Sequence, residues 1–342
     1  MPPARPRRWI HHTWRRALPA LAAALVATAA SAAAPAAADD CGLLWQVAVR
    51  LDTNPRQLQI SLRFNPGARQ STTLRLPAGW SALQDMGAAD STGTQPVPGA
   101  PTLRSLAHPP GTPVQSTWQL TPAAAEGLGG SVQLASRWLA FSGAGLLPMP
   151  DDLDEGTPPV ACVQVSGLPA DSRWASSHGQ AEGAQALWRI PPGPAPLAVR
   201  VQQALYAGGA LQSATRGPAG GQVTAVMPAE AGWRFGADAL AQAGAEALAA
   251  QRRHWGDVDA MPRWLLLLLP PPAGSGAAET MGGTAWHHAL ALQAPTELTV
   301  PGPVFDSLAA QALARAWLND RFGPVAHAGR GDEALRTWFT DG

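Results

Sequence analysis

The chain has 342 residues, 46% hydrophobic and 14% charged, so it carries enough core material for two or three domains and is excluded from the disordered class. All 24 basic residues are arginine, against 24 acidic residues. Five of the arginines (Arg5, Arg7, Arg8, Arg15, Arg16) precede residue 17; without them nineteen face twenty-four, a net of −5 with no basic stripe, which excludes nucleic acid as a partner.

Residues 1–38 read as a secretory signal peptide. A basic start precedes an apolar run over 17–30, and Ala36-Ala37-Ala38 before Asp39 offers a small-residue cleavage site, with Ala30-Ser31-Ala32 as a second candidate. The run is short for a span of about 20 residues, so the expectation is a cleaved leader, no transmembrane segment afterwards, and a periplasmic or secreted location. Two cysteines in an exported chain, Cys41 and Cys162, predict a disulfide.

Residues 39–170 are expected to form an N-terminal β-sandwich-like domain. Period-two alternation predicts strands over 43–51 and 58–64, with Asn65-Pro66-Gly67 as a turn. Further strands are expected at 73–76, 116–120, 132–141 and 160–165. The Pro/Gly/Thr-rich stretch 91–114 is expected as a long surface loop. A second loop, 143–158, holds the solvated acidic cluster Asp151, Asp152, Asp154 and Glu155. Residues 171–195 read as a linker.

The second region, 196–342, alternates strand and helix. Strands are expected at 198–206 and 221–227 with a Gly-rich turn between. A helix is expected over 235–256, with Asp238 near its start and Gly256 as its stop. The apolar run 263–269, ended by Pro270-Pro271-Pro272, reads as a buried strand. Gly282-Gly283-Thr284 leads into a strand over 285–293. A helix at 305–319 and a helix start at 332–339 complete the order. His287 and His288 are expected on opposite faces of a strand, so they cannot jointly hold a metal; His327 stands alone on a loop.

Four features follow one another here: the buried strand Trp264–Leu269, the Gly282-Gly283-Thr284 strand, the helix Gln311-Ala312-Leu313-Ala314-Arg315-Ala316-Trp317, and Trp338-Phe339-Thr340-Asp341-Gly342. This order resembles the glycyl-aminopeptidase-like branch of the gluzincin metallopeptidases. The resemblance implies an α+β chain: the β domain followed by a partial thermolysin-like α/β domain. In that family the zinc helix reads H-E-x-x-H-x-W and a downstream W-x-x-E-G supplies the third ligand. Histidines at i and i+4 lie on one helix face and grip Zn²⁺, and the intervening Glu is the general base. On this chain the first His position is Gln311, the base Ala312, the second His Arg315, and the third ligand Asp341. Trp317, Trp338 and Gly342 keep the pattern.

An amide is a poor zinc ligand, a methyl group takes no proton, and a guanidinium is a permanent cation. The resemblance therefore implies an exported pseudopeptidase with no zinc or other cofactor. Its remaining role would be to bind extended peptide or protein along the strand that begins at Gly282, Gly283 and Thr284. Arg315 and Asp341 are expected to pair where the metal would sit. An apolar patch is expected on the uncovered face of the 305–319 helix, because the family's next helices would follow residue 342. Two other readings stand beside this one: a residual or altered zinc aminopeptidase, and a non-enzymatic envelope β-sandwich protein. Oligomeric state is not encoded in any feature of the sequence.

Overall fold

The computed structural model describes residues 40–77, 80, 84–88, 93–122, 132–151, 160–179, 181, 185–193, 195–218, 221–256, 263–271, 281–286 and 288–322. The expected signal peptide lies outside the described residues.

The chain opens with a hairpin of β1 (Leu43–Arg50) and β2 (Gln57–Phe64). Alternation sends Leu43, Trp45, Val47 and Val49 to the same core as Leu58, Ile60, Leu62 and Phe64. Next come β3 (Ser71–Arg75), β4 (Gln84–Ala88), β5 (Thr94–Val97), β6 (Ala100–Ala107) and β7 (Val114–Leu120). The expected long loop at 91–114 is thus largely a hairpin. Gly99, at φ 77, turns the chain between β5 and β6, and β6 pairs with β3 and buries Leu106. Its Pro and Gly residues mark the turn rather than a structureless segment.

The expected strand 132–141 is also a hairpin, of β8 (Val132–Leu134) and β9 (Trp138–Ser142). It closes where the Ala135 N–H donates to the Trp138 carbonyl at 2.9 Å. The 143–158 loop contains α1 (Gly143–Leu146), capped by Ser142 Oγ accepting from the Gly145 N–H, and β10 (Met149–Pro150). Of its acidic cluster, Asp151 lies 3.2 Å from Arg75; Asp152, Asp154 and Glu155 are outside the described residues.

β11 (Ala161–Ser166) runs parallel to β1. The stretch 171–195 is no free linker: it supplies β12 (Arg173–Ser176) and β13 (Ala186–Arg189), which add to two different sheets. The expected strand at 198–206 becomes α2 (Leu197–Gln202) followed by β14 (Leu205–Gly209). Leu197 and Val201, one helical turn apart, both reach the core, and that spacing decides for helix over strand.

Three sheets, ordered β13-β11-β1-β2-β7-β4, β10-β3-β6-β5 and β12-β14-β9-β8, surround the first core. Rings fill it: Trp45, Trp118, Phe141, Trp188 and Tyr206 are all nearly inaccessible to solvent. The parallel register sets Leu44 beside Cys162 and brings Cys41 within bonding reach, and the disulfide Cys41–Cys162 forms with a Cα separation of 5.9 Å.

The remaining chain builds one more sheet. β15 (Leu211–Arg216) pairs with β16 (Gln222–Pro228), then come α3 (Ala237–Trp255), β17 (Arg263–Leu269), β18 (Gly282–Trp286), β19 (Ala289–Gln293) and α4 (Pro303–Phe322). The order is β15-β16-β17-β19-β18. β15 takes the place of part of the expected Gly-rich turn. β17 lies parallel between β16 and β19 and is covered on both faces, hence its unbroken apolar run. α3 carries Asp238 in its first turn, where it pairs with Arg216, and is capped by Gly256 in the left-handed conformation, φ 63.

α3 and α4 cover one face of this sheet around the second core. On the other face Leu211, Val226, Leu265, Leu267 and Leu269 meet Trp138, Ala140, Leu205 and Ala207 of the β12-β14-β9-β8 sheet. The fold is therefore mixed α+β with several sheets. Among the described residues no helix is long and apolar enough to cross a membrane.

Candidate functional site

The sequence points to the junction of α4 and β18. The expected strand 285–293 is two strands, folded at His288, whose φ is 55. Gly282 and Gly283 accordingly sit inside β18 rather than in a turn before it, opposite Gln293 and Leu292. His288 is a hairpin residue with its ring 5.8 Å from that of Trp264; His287 is outside the described residues. β18 is the edge of its sheet among the described residues, and all five of its residues are half-buried.

α4 lies directly behind this edge. Phe305, Ala309, Ala312, Leu313 and Ala316 recur at helical spacing and pack into the second core. A Cβ placed on Gly283 would lie 3.6 Å from the Ala312 Cβ and 2.7 Å from Leu292 Cδ2. Glycine there lets the strand and the helix approach; a larger side chain would have to displace the buried Leu292. Gly282 has open space at its Cβ position, and Thr284 is half-buried.

The motif positions on α4 separate by environment. Gln311 is exposed, Ala312 is 2% exposed, and Arg315 is half-buried. Gln311 and Arg315, four apart, share a face. An amide, a methyl and a guanidinium do not fit a zinc-binding donor set. Among the described residues no three His, Cys, Asp or Glu side chains converge. Asp341, with Trp338 and Gly342, lies outside the described residues, so the expected Arg315–Asp341 pair falls there too.

Trp317 has a packing role that the motif spacing did not reveal. Its ring stacks on Trp255 at 4.5 Å and 11°, joining α4 to the end of α3. Gln251 ties the same ends: its Nε2 donates to the Ala310 carbonyl at 3.4 Å, and its Oε1 accepts from Trp255 Nε1 at 2.9 Å. The expected apolar patch on α4 is not observed among the described residues. Over residues 303–318 of α4 the exposed positions are Pro303, Val304, Asp306, Ser307 and Gln311, of which only Val304 is a large apolar residue.

No protein-family model matches the chain, and no curated protein matches it in sequence. Its fold is similar to that of a solved aminopeptidase N family protein from Idiomarina loihiensis. The TM-score is 0.62 at 13% identity, over 83% of this chain and 50% of that one. The chain has a distant peptidase-like fold. It spans about half the length of that protein.

A second feature lies on the opposite face of the same sheet, away from every motif position. β15, β16 and β17 each present apolar residues beneath the β12-β14-β9-β8 sheet and polar ones beyond its β12 edge. There Ser213, Thr215, Thr224 and Arg263 line a pocket of about 160 Å³ with Ser176, Ser177 and Gly179. The signal was present in the sequence as a change along each strand, Leu211 to Ser213 and Thr215, and Leu265 to Arg263.

Proposed function

We propose that the chain is an exported, catalytically inactive relative of the thermolysin-like metallopeptidases that holds extended peptide along β18. The observation that carries this reading is the edge strand Gly282–Trp286 lying over a helix whose motif positions hold Gln311, Ala312 and Arg315. A sheet edge offers unpaired backbone donors and acceptors, and an extended peptide can add to it as a further strand. Behind that edge, Ala312 supplies no base and Arg315 places a fixed positive charge where a dication would be repelled. The similarity of fold to an aminopeptidase N family protein supports the peptidase-like part of this reading. The signal-like leader and the disulfide support export. This reading expects Asp341 to pair with Arg315 where the metal would sit.

The test has two arms. Purified protein is assayed for zinc by elemental mass spectrometry and for cleavage of an unstructured peptide mixture; stoichiometric zinc or cleavage that a chelator stops would sink the inactive reading. Peptides retained from that mixture are then resynthesised with alternate backbone N-methyl groups. Strand addition predicts that methylation on the pairing edge abolishes binding, while unchanged binding of every methylated form would remove β18 as the site.

A further inference from the structure

The pocket beyond the β12 edge has a chemistry of its own. Its floor is the uncovered part of the sheet face: Ser213 and Thr215 on β15, Thr224 on β16 and Arg263 on β17. Its wall is the turn after β12, where the Gly179 N–H donates to the Ser176 carbonyl at 2.9 Å and Trp188 Nε1 donates to the Gly179 carbonyl at 3.2 Å. Arg263 rests against that turn: a Cβ on Gly179, at φ 103, would lie 3.3 Å from its Nη1. Glycine thus gives the guanidinium its seat on two grounds, the left-handed backbone and the close approach.

The polar groups are arranged to give protons. Thr215 Oγ1 and Thr224 Oγ1 lie 2.9 Å apart, so one proton serves that bond and the other hydroxyl hydrogen is left over. Ser177 Oγ accepts from the Leu205 N–H at 3.1 Å and keeps its own hydrogen to donate. Among the described residues the lining contains no carboxylate, and Arg263 makes no ion pair. In a chain whose acidic residues outnumber its arginines after the leader, an unpaired arginine beside a cluster of hydroxyl donors is an anion-recognising arrangement.

Charge and size narrow the anion. One guanidinium matches one negative charge, and its planar fork fits the two oxygens of a carboxylate. The volume of about 160 Å³ far exceeds the roughly 10–15 Å³ that one water needs, so it takes a small acid or the end of a chain. We propose that this pocket binds the carboxylate of a small polar acid, with Arg263 gripping the two oxygens and Ser177, Ser213 and the Thr215–Thr224 pair donating to it and its neighbouring groups. The site is independent of β18, which lies at the other edge of the sheet.

Calorimetric titration of the full chain tests this with five probes: lactate, lactamide, N-acetyl-Gly-Gly, its C-terminal amide, and inorganic phosphate. Both acids are expected to bind at least ten-fold more tightly than their amides, and Arg263→Gln to abolish that preference while leaving the melting temperature unchanged. Thr224→Val, which removes a hydroxyl at constant shape, is expected to weaken both acids three- to ten-fold. A peptide acid ten-fold tighter than lactate assigns the carboxylate to a chain terminus; equal affinities assign it to a free acid. The proposal is overturned if acids and amides bind alike, if Arg263→Gln binds as the parent does, if phosphate binds more tightly than either acid, or if no probe binds.

Discussion

Around residues 43–206 the sheets are held apart by rings, with Trp45, Trp118, Phe141, Trp188 and Tyr206 filling the space between them. Around residues 223–316 small residues on α3 let it approach leucine-rich strands closely. α3 meets its sheet through Ala237, Ala241 and Ala245, and through Gly244, where a Cβ would lie 2.8 Å from Leu266 Cδ2 and 3.2 Å from Val223 Cγ1. Both regions exclude water, yet they fail in opposite directions. The first is vulnerable to lost volume and the second to added volume.

Four measurements would break or sharpen that contrast. Removing the disulfide by Cys41→Ser with Cys162→Ser should have the largest effect, about 5 kcal/mol in the chain-entropy model for a separation of 121 residues. Hydrogen exchange should show the loss in β1 and β11 first; equal loss in β17 would mean the two cores unfold as one. Trp118→Ala should cost about 3–5 kcal/mol in denaturant unfolding, since its fully buried ring also sits 6.0 Å from that of Trp80. Gly244→Val should cost about 1–3 kcal/mol by overpacking, despite the poor helix propensity of glycine. A gain in stability there would show that α3 can shift and that the contrast is wrong.

The smallest effect concerns Tyr206, the only tyrosine in the chain, fully buried and with no hydrogen-bond partner for its hydroxyl among the described residues. Burial pushes its pKa above the usual phenol value, because the anion would lose its hydration. The folded state therefore keeps a proton that the unfolded state releases above about pH 10, so stability falls as pH rises through that value, by about 1.4 kcal/mol per pH unit. Absorbance should show no tyrosinate before unfolding. Tyr206→Phe should remove that slope and, below pH 10, leave stability unchanged or raise it by about 1 kcal/mol, since an orphaned hydroxyl is removed.

How much of this was legible depended on range. β1, β2, β17, α3 and α4 were readable because each has one strong period or one unbroken apolar run, and α3 carries its own stop at Gly256. The hairpins at 132–142 and 282–293 read as single strands because their turns, at Ala135–Arg137 and His288, are too brief to interrupt the local pattern, whereas the hairpin at 94–107 reads as a loop because Pro and Gly crowd its short strands. β12 and β13 were misread as linker because only distant partners, β14 and β11, make them strands. At the candidate site, spacing found α4 and the glycines of β18. It could not show that Trp317 stacks on Trp255, or that Ala312 backs Gly283, because those contacts join segments that no periodicity relates.

The parallel pairing of β1 with β11 has a consequence for the order in which the chain can mature. β1 is the first described strand, and it sits between β2, which is made at once, and β11, which begins 118 residues after it. During synthesis the β1–β2 hairpin therefore stands with one flank bare until residue 166 has emerged, and Cys41 has no partner thiol until Cys162 arrives. A nascent chain halted before that point would carry an open strand edge and a single reactive sulfur. Long-range closure of this kind is slow, so the first core stays open at its earliest strand until the eleventh is in place.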